Sequence, residues 1–302
     1  MSGSLATPTL ARLTLLAALA ATQLTLAARA GVGDFVIMAG LSWLGGAVLL
    51  LEREEQVAGE DTSPQAALAS LPLRRFLPGA LLLFWALLVL SFAGRLYDPL
   101  FWALPLAVLT GLGLLAGAAW RSPLLTRLAL IGALLPAQGL FNALWPVEPL
   151  ALLTARVTAL LLWLIGRPAF ASGRAVMLDG QVLLVDGGCT GHTTLSFCLA
   201  TLALLWLLFP LGVRSGPARL TPLLLVPLLL VAVFLLNAVR IAVLAYTVRD
   251  PGDGWWQAWR GFAFWHDGPG AQLFALLASG LVCLVYVGLL EWQLRRRRGL
   301  AR

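Results

Sequence analysis

The chain contains no lysine, only two histidines and only three cysteines, and charged residues fill just 12% of its 302 positions. Apolar residues make up 60% of the sequence and the mean hydropathy is +0.89. Apolar runs of about 17 to 25 residues, the length that crosses a bilayer as a helix, recur from end to end. This composition excludes a soluble domain and predicts an all-α polytopic membrane protein whose partner is membrane lipid.

The net charge of +7 comes from arginine alone. The cluster Arg295–Arg298 adjoins an apolar run, where basic residues meet anionic lipid and hold the adjoining end in the cytoplasm. We therefore interpret the charge as a topology signal and predict no nucleic-acid partner. The cysteines, Cys189, Cys198 and Cys283, are odd in number and lack CxxC spacing, so we predict no disulfide framework, no metal site and no cofactor.

Hydropathy predicts about eight full spans, with the first retained as a span rather than cleaved as a signal peptide. They lie at 10–28, 33–51, 76–94, 99–119, 128–145, 193–212, 222–246 and 269–290. The segment 150–166 is apolar but of marginal length. If this segment crosses the membrane, the arginine-bearing loops lie on the side opposite to the Arg295–Arg298 tail. If it lies at the outer interface, or dips in and returns, those loops lie in the cytoplasm together with the tail. Both termini are then cytoplasmic.

One segment is typical of strands. Residues 175–178 and 181–185 are β-prone runs joined by Asp179-Gly180, the signature of a two-residue β-hairpin turn. By parity this hairpin, at about 175–185, lies outside the cytoplasm. It leads directly into Asp186-Gly187-Gly188-Cys189, which places a thiol at the mouth of the next helix.

Three chemically informative residues fall at one depth of the predicted membrane. Cys189 lies at the outer start of one span, Arg240 near the outer end of the next, and His266 at the outer start of the last. A thiol needs a base or a cation to become a nucleophile, and a fixed cation stabilises the oxyanion of an attacked carbonyl. We predict these roles for Cys189, His266 and Arg240, with His192 as the rival base.

Each of these residues also has a purely structural interpretation. A membrane cysteine is usually a small core residue, as we predict for Cys198 and Cys283, whereas an intramembrane arginine costs about 2.5–3.5 kcal/mol and is normally kept for a partner. A non-enzymatic transporter or assembly factor for envelope polysaccharide, with Arg240 binding an anionic group, is the alternative function. The inner halves of the last three spans are nearly pure Leu, Val and Ala, so the polar site opens to one side only. That pattern favours a surface enzyme.

The order Cys189-Thr190-Gly191, then Asn237-Ala238-Val239-Arg240-Ile241, then His266 resembles the exosortase/archaeosortase family of integral-membrane cysteine transpeptidases. The resemblance covers about 130–290, and we predict a catalytic membrane core at 128–302 behind motif-free helices at 1–127. The family pattern has Ser-Gly after the cysteine and then another serine. Here Thr190 keeps the hydroxyl, while His192 departs from the pattern.

The resemblance implies an enzyme that cleaves the C-terminal sorting signal of exported proteins, namely a short motif, an apolar helix and a basic tail. Such an enzyme transfers or releases the processed protein. It also implies an inner (cytoplasmic) membrane location with the active site on the extracytoplasmic side. Cys189 matches the family nucleophile, Arg240 its arginine and His266 its histidine. Asn237, Thr190 and His192 are expected to support them. We further expect Cys189, but not Cys283, to react with a thiol reagent applied from outside.

Overall fold

A computed structural model describes residues 7–31, 33–58, 72–92, 99–178, 180–211, 221–247, 261–266 and 268–299. Asp179 of the predicted hairpin turn lies outside these residues. So do Arg214 and Arg219, and the tryptophan-rich segment 249–260, which the sequence places between the predicted spans.

The described residues are mostly helical. The helices of the first half are α1 (Thr7–Arg29), α2 (Gly33–Ala58), α3 (Leu73–Ser91), α4 (Pro99–Trp102), α5 (Leu104–Leu115), α6 (Pro123–Leu144) and α7 (Val147–Leu164). Three strands follow, β1 (Ala169–Ser172), β2 (Ala175–Leu178) and β3 (Gln181–Leu184). A 3-10 helix (Gly187–Cys189) then precedes α8 (His192–Leu208), α9 (Thr221–Thr247), α10 (Phe262–His266) and α11 (Pro269–Gly299).

Seven helices among the described residues are long and apolar enough to cross a membrane. These candidate spans are Leu10–Arg29, Phe35–Arg53, Leu73–Ser91, Pro123–Leu144, Val147–Leu164, Leu224–Ala245 and Phe262–Arg295. Together with the small sheet, they confirm the predicted all-α polytopic membrane fold. The predicted spans at 99–119 and 193–212 correspond to shorter apolar helices, Leu104–Leu115 and His192–Leu208.

Pro105 explains why the predicted span at 99–119 is interrupted. A proline has no N–H, so it cannot donate to the carbonyl four residues earlier, which is that of Phe101. Gln23 of α1 donates its Nε2 to this carbonyl over 2.7 Å, and Trp43 of α2 donates its Nε1 to the Gln23 Oε1 over 2.7 Å. The break between α4 and α5 is therefore paired by side chains of two other helices, as a buried backbone group requires.

The segment predicted to lie at the outer interface, or to dip in and return, is one unbroken helix, α7, long and apolar enough to cross a membrane. Its buried stripe consists of small residues, Ala151, Thr154, Ala155, Thr158 and Ala159, with Leu162. Small side chains let two helices approach closely, and Thr158 Oγ1 lies 3.4 Å from the Ala238 carbonyl of α9. Thr154 and Thr158 are buried in this stripe, whereas Arg156 is exposed.

The predicted hairpin exists, but it belongs to a three-stranded antiparallel sheet in the order β1-β2-β3. The hairpin of β2 and β3 was predicted, whereas β1 was not. Val176 pairs with Leu183 across β2 and β3, and both are buried. They pack with α7, the end of α9 and Cys189 in one apolar cluster. The sheet is thus amphipathic, and its buried face lies beside the thiol.

The chain divides into two compact units, residues 1–140 with 207–209 and residues 141–206 with 210–302. In the first unit, close approach of α3 and α5 is possible because glycines meet, since a Cβ on Gly79 would lie 3.0 Å from the Gly111 carbonyl oxygen. The second unit contains the sheet, the 3-10 helix and α8 to α11, and every predicted site residue lies in it.

Candidate active site

The segment that carries Cys189 is a short rigid turn between the sheet and α8. The backbone N–H of Val185, which is fully buried, donates to the Arg174 carbonyl over 2.9 Å and fixes the chain where β3 ends. Asp186 then caps the 3-10 helix, because its Oδ1 accepts from the Cys189 N–H over 3.0 Å. Cys189 therefore precedes α8 in a turn of its own, rather than standing at the first turn of a long helix, and its side chain is 1% exposed.

Two side chains of α9 bind the backbone of this turn. Asn237 donates its Nδ2 to the Cys189 carbonyl over 3.0 Å, and Arg240 donates from NH2 to the Gly188 carbonyl over 3.2 Å. Residues three apart on a helix share a face, so one face of α9 presents both side chains to the turn. The opposite face of α9 exposes apolar side chains, among them Leu228 and Val231. The arrangement brings a buried amide and a buried guanidinium against the residues that hold the thiol.

Gly191 is required between Cys189 and α8 for two independent reasons. Its φ of +73° lies in the left-handed region, which side chains other than glycine rarely adopt. In addition, a Cβ at this position would lie 2.5 Å from Cγ of Asn237. The glycine of the Cys-Thr-Gly motif thus allows the turn and makes room for the amide that binds the Cys189 carbonyl.

Thr190 and His192 interact with each other rather than with the thiol. The Thr190 hydroxyl donates to the Gly187 carbonyl over 2.8 Å and lies 3.0 Å from Nδ1 of His192. Because that hydroxyl proton is already used, we assign the proton of this second contact to Nδ1 of His192. His192 does not share a helical face with Cys189, because the two residues are separated by the positive-φ Gly191 and belong to different helices.

His266 ends the short helix α10, and its ring stacks on Phe262 with ring centroids 4.9 Å apart. A ring nitrogen of His266, the Sγ of Cys189 and a carboxylate oxygen of Asp186 all lie within 4.8 Å of one another. Elements that are far apart in the sequence thus bring together a thiol, an imidazole and a carboxylate. A separation of up to 4.8 Å is looser than a hydrogen bond, as is common in a site without substrate.

Two charges of opposite sign act on the thiol. Burial, the Asp186 carboxylate and a hydrogen bond to that carboxylate together raise the pKa of Cys189 from its ordinary value of 9.0 to about 11. The nearby Arg240 guanidinium acts in the other direction and lowers it. At neutral pH the thiol is therefore protonated, and it becomes a nucleophile only when a base removes its proton.

Asp186 is the site residue that the sequence argument missed. It was visible as the first residue of Asp186-Gly187-Gly188-Cys189, but a carboxylate three residues before a cysteine has no assigned role without the turn that brings the two together. Thiol, imidazole and carboxylate are also side-chain types that can bind zinc. The sequence predicts no metal, and we treat the cluster as a thiol site.

The other two cysteines lie elsewhere in the same unit. Cys198 is buried in an apolar cluster of α8, α9 and α11, and Cys283 is partly buried along α11. A narrow cleft lies next to Asn237 and Arg240. It is lined by Thr194, Val233, Leu236, Asn237, Arg240, Ala271, Phe274, Ala275 and Ala278.

The fold and this cluster define a polytopic helical membrane protein with a buried cysteine beside a histidine, an arginine and an aspartate. A sequence model of the transmembrane exosortase family (EpsH type) matches residues 61–284, which is well over half of the chain. The chain therefore belongs to the transmembrane exosortase family, whose general role is that of a membrane transpeptidase or protease. No curated protein and no solved structure gives a significant match to this chain. The family match begins at residue 61, nearer the N-terminus than the motifs around 130–290.

Proposed function

We propose that this protein is a thiol transpeptidase or protease that cleaves the C-terminal sorting signal of exported proteins. The observation that carries the proposal is the approach of Cys189 and His266, whose reactive atoms lie within 4.8 Å in a chain with only two histidines. Membership of the exosortase family supports it. The signal we propose has a short motif, an apolar helix and a basic tail.

In the proposed reaction His266 removes the proton of Cys189 Sγ, and the thiolate attacks the carbonyl carbon of the scissile peptide bond. The tetrahedral intermediate collapses as His266 returns the proton to the leaving amine, which departs with the apolar helix and basic tail. A thioester then joins the exported protein to Cys189. An incoming amine or a water molecule attacks this thioester, loses its proton to His266, and releases the transferred or hydrolysed product.

We propose that Arg240 stabilises the negative charge of the thiolate and of the oxyanion. It is 8% exposed, and its Nε is a buried donor without a hydrogen-bond partner among the described residues. A buried cation near the thiol favours the thiolate, and a free N–H donor is what a developing oxyanion requires. Arg240 also lines the narrow cleft, with apolar residues of α9 and α11.

Asn237 and Thr190 are proposed as supporting residues, because their hydrogen bonds hold the turn around Cys189. His192 has its Nδ1 against the Thr190 hydroxyl and no recorded contact with the thiol, so we rank it behind His266 as the base. We further propose that residues 128–302 form the catalytic core. The site is proposed to face the extracytoplasmic side of the inner (cytoplasmic) membrane, with the arginine-rich end of α11 in the cytoplasm.

The test is co-expression with an exported protein that ends in such a signal, with cleavage followed by the shift in mass of the substrate. Cys189→Ala is expected to abolish cleavage. Cys198→Ala is the matched control, because it removes another buried cysteine of the same unit and is expected to leave cleavage intact. Full cleavage by Cys189→Ala would refute the proposed mechanism.

A further inference from the structure

We propose that Asp186 is a positioning residue of this site, which holds the thiol of Cys189 in its protonated form at rest and orients His266 to receive that proton. The inference deepens the proposed function and rests on it for the catalytic step. It assigns a role to a residue that lies outside the Cys-Thr-Gly motif and far along the chain from the arginine and the histidine.

The position of the carboxylate is fixed by the fold. Asp186 directly follows Val185, whose burial and backbone hydrogen bond to Arg174 anchor the end of the sheet. Its Oδ1 accepts from the Cys189 N–H over 3.0 Å, and its backbone carbonyl accepts from the same N–H over 3.1 Å. One carboxylate oxygen is thus committed to capping the turn, which leaves the other available to its neighbours.

Those neighbours are the thiol and the imidazole. A carboxylate oxygen of Asp186 lies within 4.8 Å of both the Cys189 Sγ and a ring nitrogen of His266. A negative charge at this distance disfavours a bare thiolate, and a carboxylate oxygen there is placed to accept a hydrogen bond from the imidazole N–H. The same carboxylate therefore opposes spontaneous ionisation of the thiol and orients the ring that receives the proton.

The charges around the thiol are consistent with a carboxylate that keeps the thiol protonated. Asp186 raises the pKa of Cys189 through its charge and through a hydrogen bond to the thiol, while Arg240 lowers it. Asp186 itself is exposed. A site of this kind keeps its cysteine unreactive towards oxidants and small electrophiles, and it generates the nucleophile only by transfer of the proton to His266.

Asp186→Asn separates the two functions of the side chain. The amide oxygen still accepts from the Cys189 N–H, so the cap is kept, but the negative charge is lost. In a background with Cys198→Ser and Cys283→Ser, we expect alkylation of Cys189 by iodoacetamide at neutral pH to become about threefold faster or more. The gain in thiolate exceeds the loss of nucleophilicity of a less basic thiolate. Substrate cleavage is expected to become about tenfold slower or more, because His266 loses its partner.

The pattern of faster alkylation with slower cleavage is what a purely structural role does not produce. If Asp186 only caps the turn, Asp186→Asn matches the wild type in both measurements. Asp186→Glu keeps the charge and is expected to retain slow alkylation. Glu148→Gln is the matched control, because Glu148 is an exposed carboxylate in the first turn of α7 that pairs with Arg174 over 3.2 Å. It is expected to change neither rate.

An Asp186→Asn variant that alkylates no faster than the wild type, or that cleaves as well as it, overturns the proposal. The alkylation rate and its pH profile need no substrate. If the wild type cleaves no protein with a tail signal, the proposed function fails, while faster alkylation of Asp186→Asn still supports the electrostatic role of Asp186.

Discussion

The amide of Asn237 donates its Nδ2 to the backbone carbonyl of Cys189 over 3.0 Å, so a side chain of a candidate span fixes the peptide unit that follows the thiol. The same amide lies where a Cβ of residue 191 would lie. Two motifs that are almost fifty residues apart in the sequence are therefore in direct contact. They are Cys189-Thr190-Gly191 and Asn237-x-x-Arg240.

Gly191→Ala tests this contact. The new Cβ is strained at a φ of +73° and overlaps the Asn237 amide at 2.5 Å from its Cγ. We expect a loss of unfolding free energy of about 2–5 kcal/mol, from backbone strain and overpacking together, and at least a tenfold loss of substrate cleavage. Thermal unfolding in detergent and the cleavage assay measure the two effects.

Gly173→Ala is the matched control, because its φ of +60° is also positive but nothing lies within 4 Å of its Cβ. It is expected to cost only about 1–2 kcal/mol and to leave cleavage near the wild-type rate. Equal effects of the two substitutions would show that the overlap with Asn237 does not matter.

Arg240→Gln is expected to act on the thiol in the direction opposite to Asp186→Asn. The guanidinium lowers the pKa of Cys189, so its removal leaves the thiol less ionised. Alkylation of Cys189 at neutral pH should slow about threefold, and cleavage should fall by about a hundredfold as the oxyanion donor is lost. Arg240→Lys keeps the charge but not the planar fork, and we expect it to restore alkylation more than cleavage. Faster alkylation in Arg240→Gln would contradict this electrostatic account.

The two histidines are distinguished by His266→Asn and His192→Asn. Removal of a general base typically costs about 10²–10⁴ in rate, which is the loss expected for His266→Asn. His192→Asn keeps an N–H donor near the Thr190 hydroxyl, 3.0 Å from the present Nδ1, and should retain cleavage within about threefold of wild type. A large loss for His192→Asn together with a small loss for His266→Asn would reverse the assignment of the base.

The sequence singled out the candidate residues of the site, but it did not predict how they are held. Cys189, Arg240 and His266 stood out because polar residues are rare in an apolar chain, and their order along the chain matched a family. The structure places Cys189 in a buried turn, Arg240 against the Gly188 carbonyl and the His266 ring near the thiol. Asp186 could not be recognised in the same way, because its proximity to His266 depends on the tertiary packing of α10 against the turn.

The helical class was predictable from composition, whereas the breaks and the sheet were not. Pro105 signals the break that divides the span predicted at 99–119. The hydrogen bond from Gln23 to the Phe101 carbonyl was not predictable, because it joins two helices that are far apart in the sequence. The strand β1 has the alternation Ala169-Phe170-Ala171-Ser172 and is followed by Gly173 at a φ of +60°. This turn signal was available, but a four-residue strand is too short to be identified by periodicity alone.

The burial of Cys189 revises the expected thiol labelling. With a pKa raised to about 11 by burial and by Asp186, the fraction of thiolate increases about tenfold for each pH unit from 7 to 9. Alkylation of Cys189 in the wild type should therefore be slow at neutral pH and still increase above pH 9. A rate that reaches its plateau near pH 8 would show that the thiol is not held protonated as the structure indicates. The measurement uses the variant with Cys198→Ser and Cys283→Ser.

The central claim is that Cys189 forms a covalent bond to the substrate. Mass spectrometry of the enzyme, quenched in acid during turnover of a substrate with a tail signal, measures this directly. The account predicts that the N-terminal part of the substrate is attached through a hydroxylamine-sensitive thioester to the peptide containing Cys189, and that the adduct is absent from Cys189→Ala. Two results would contradict it. One is turnover that proceeds without an adduct in the wild type and is undiminished in Cys189→Ala. The other is an adduct on another residue.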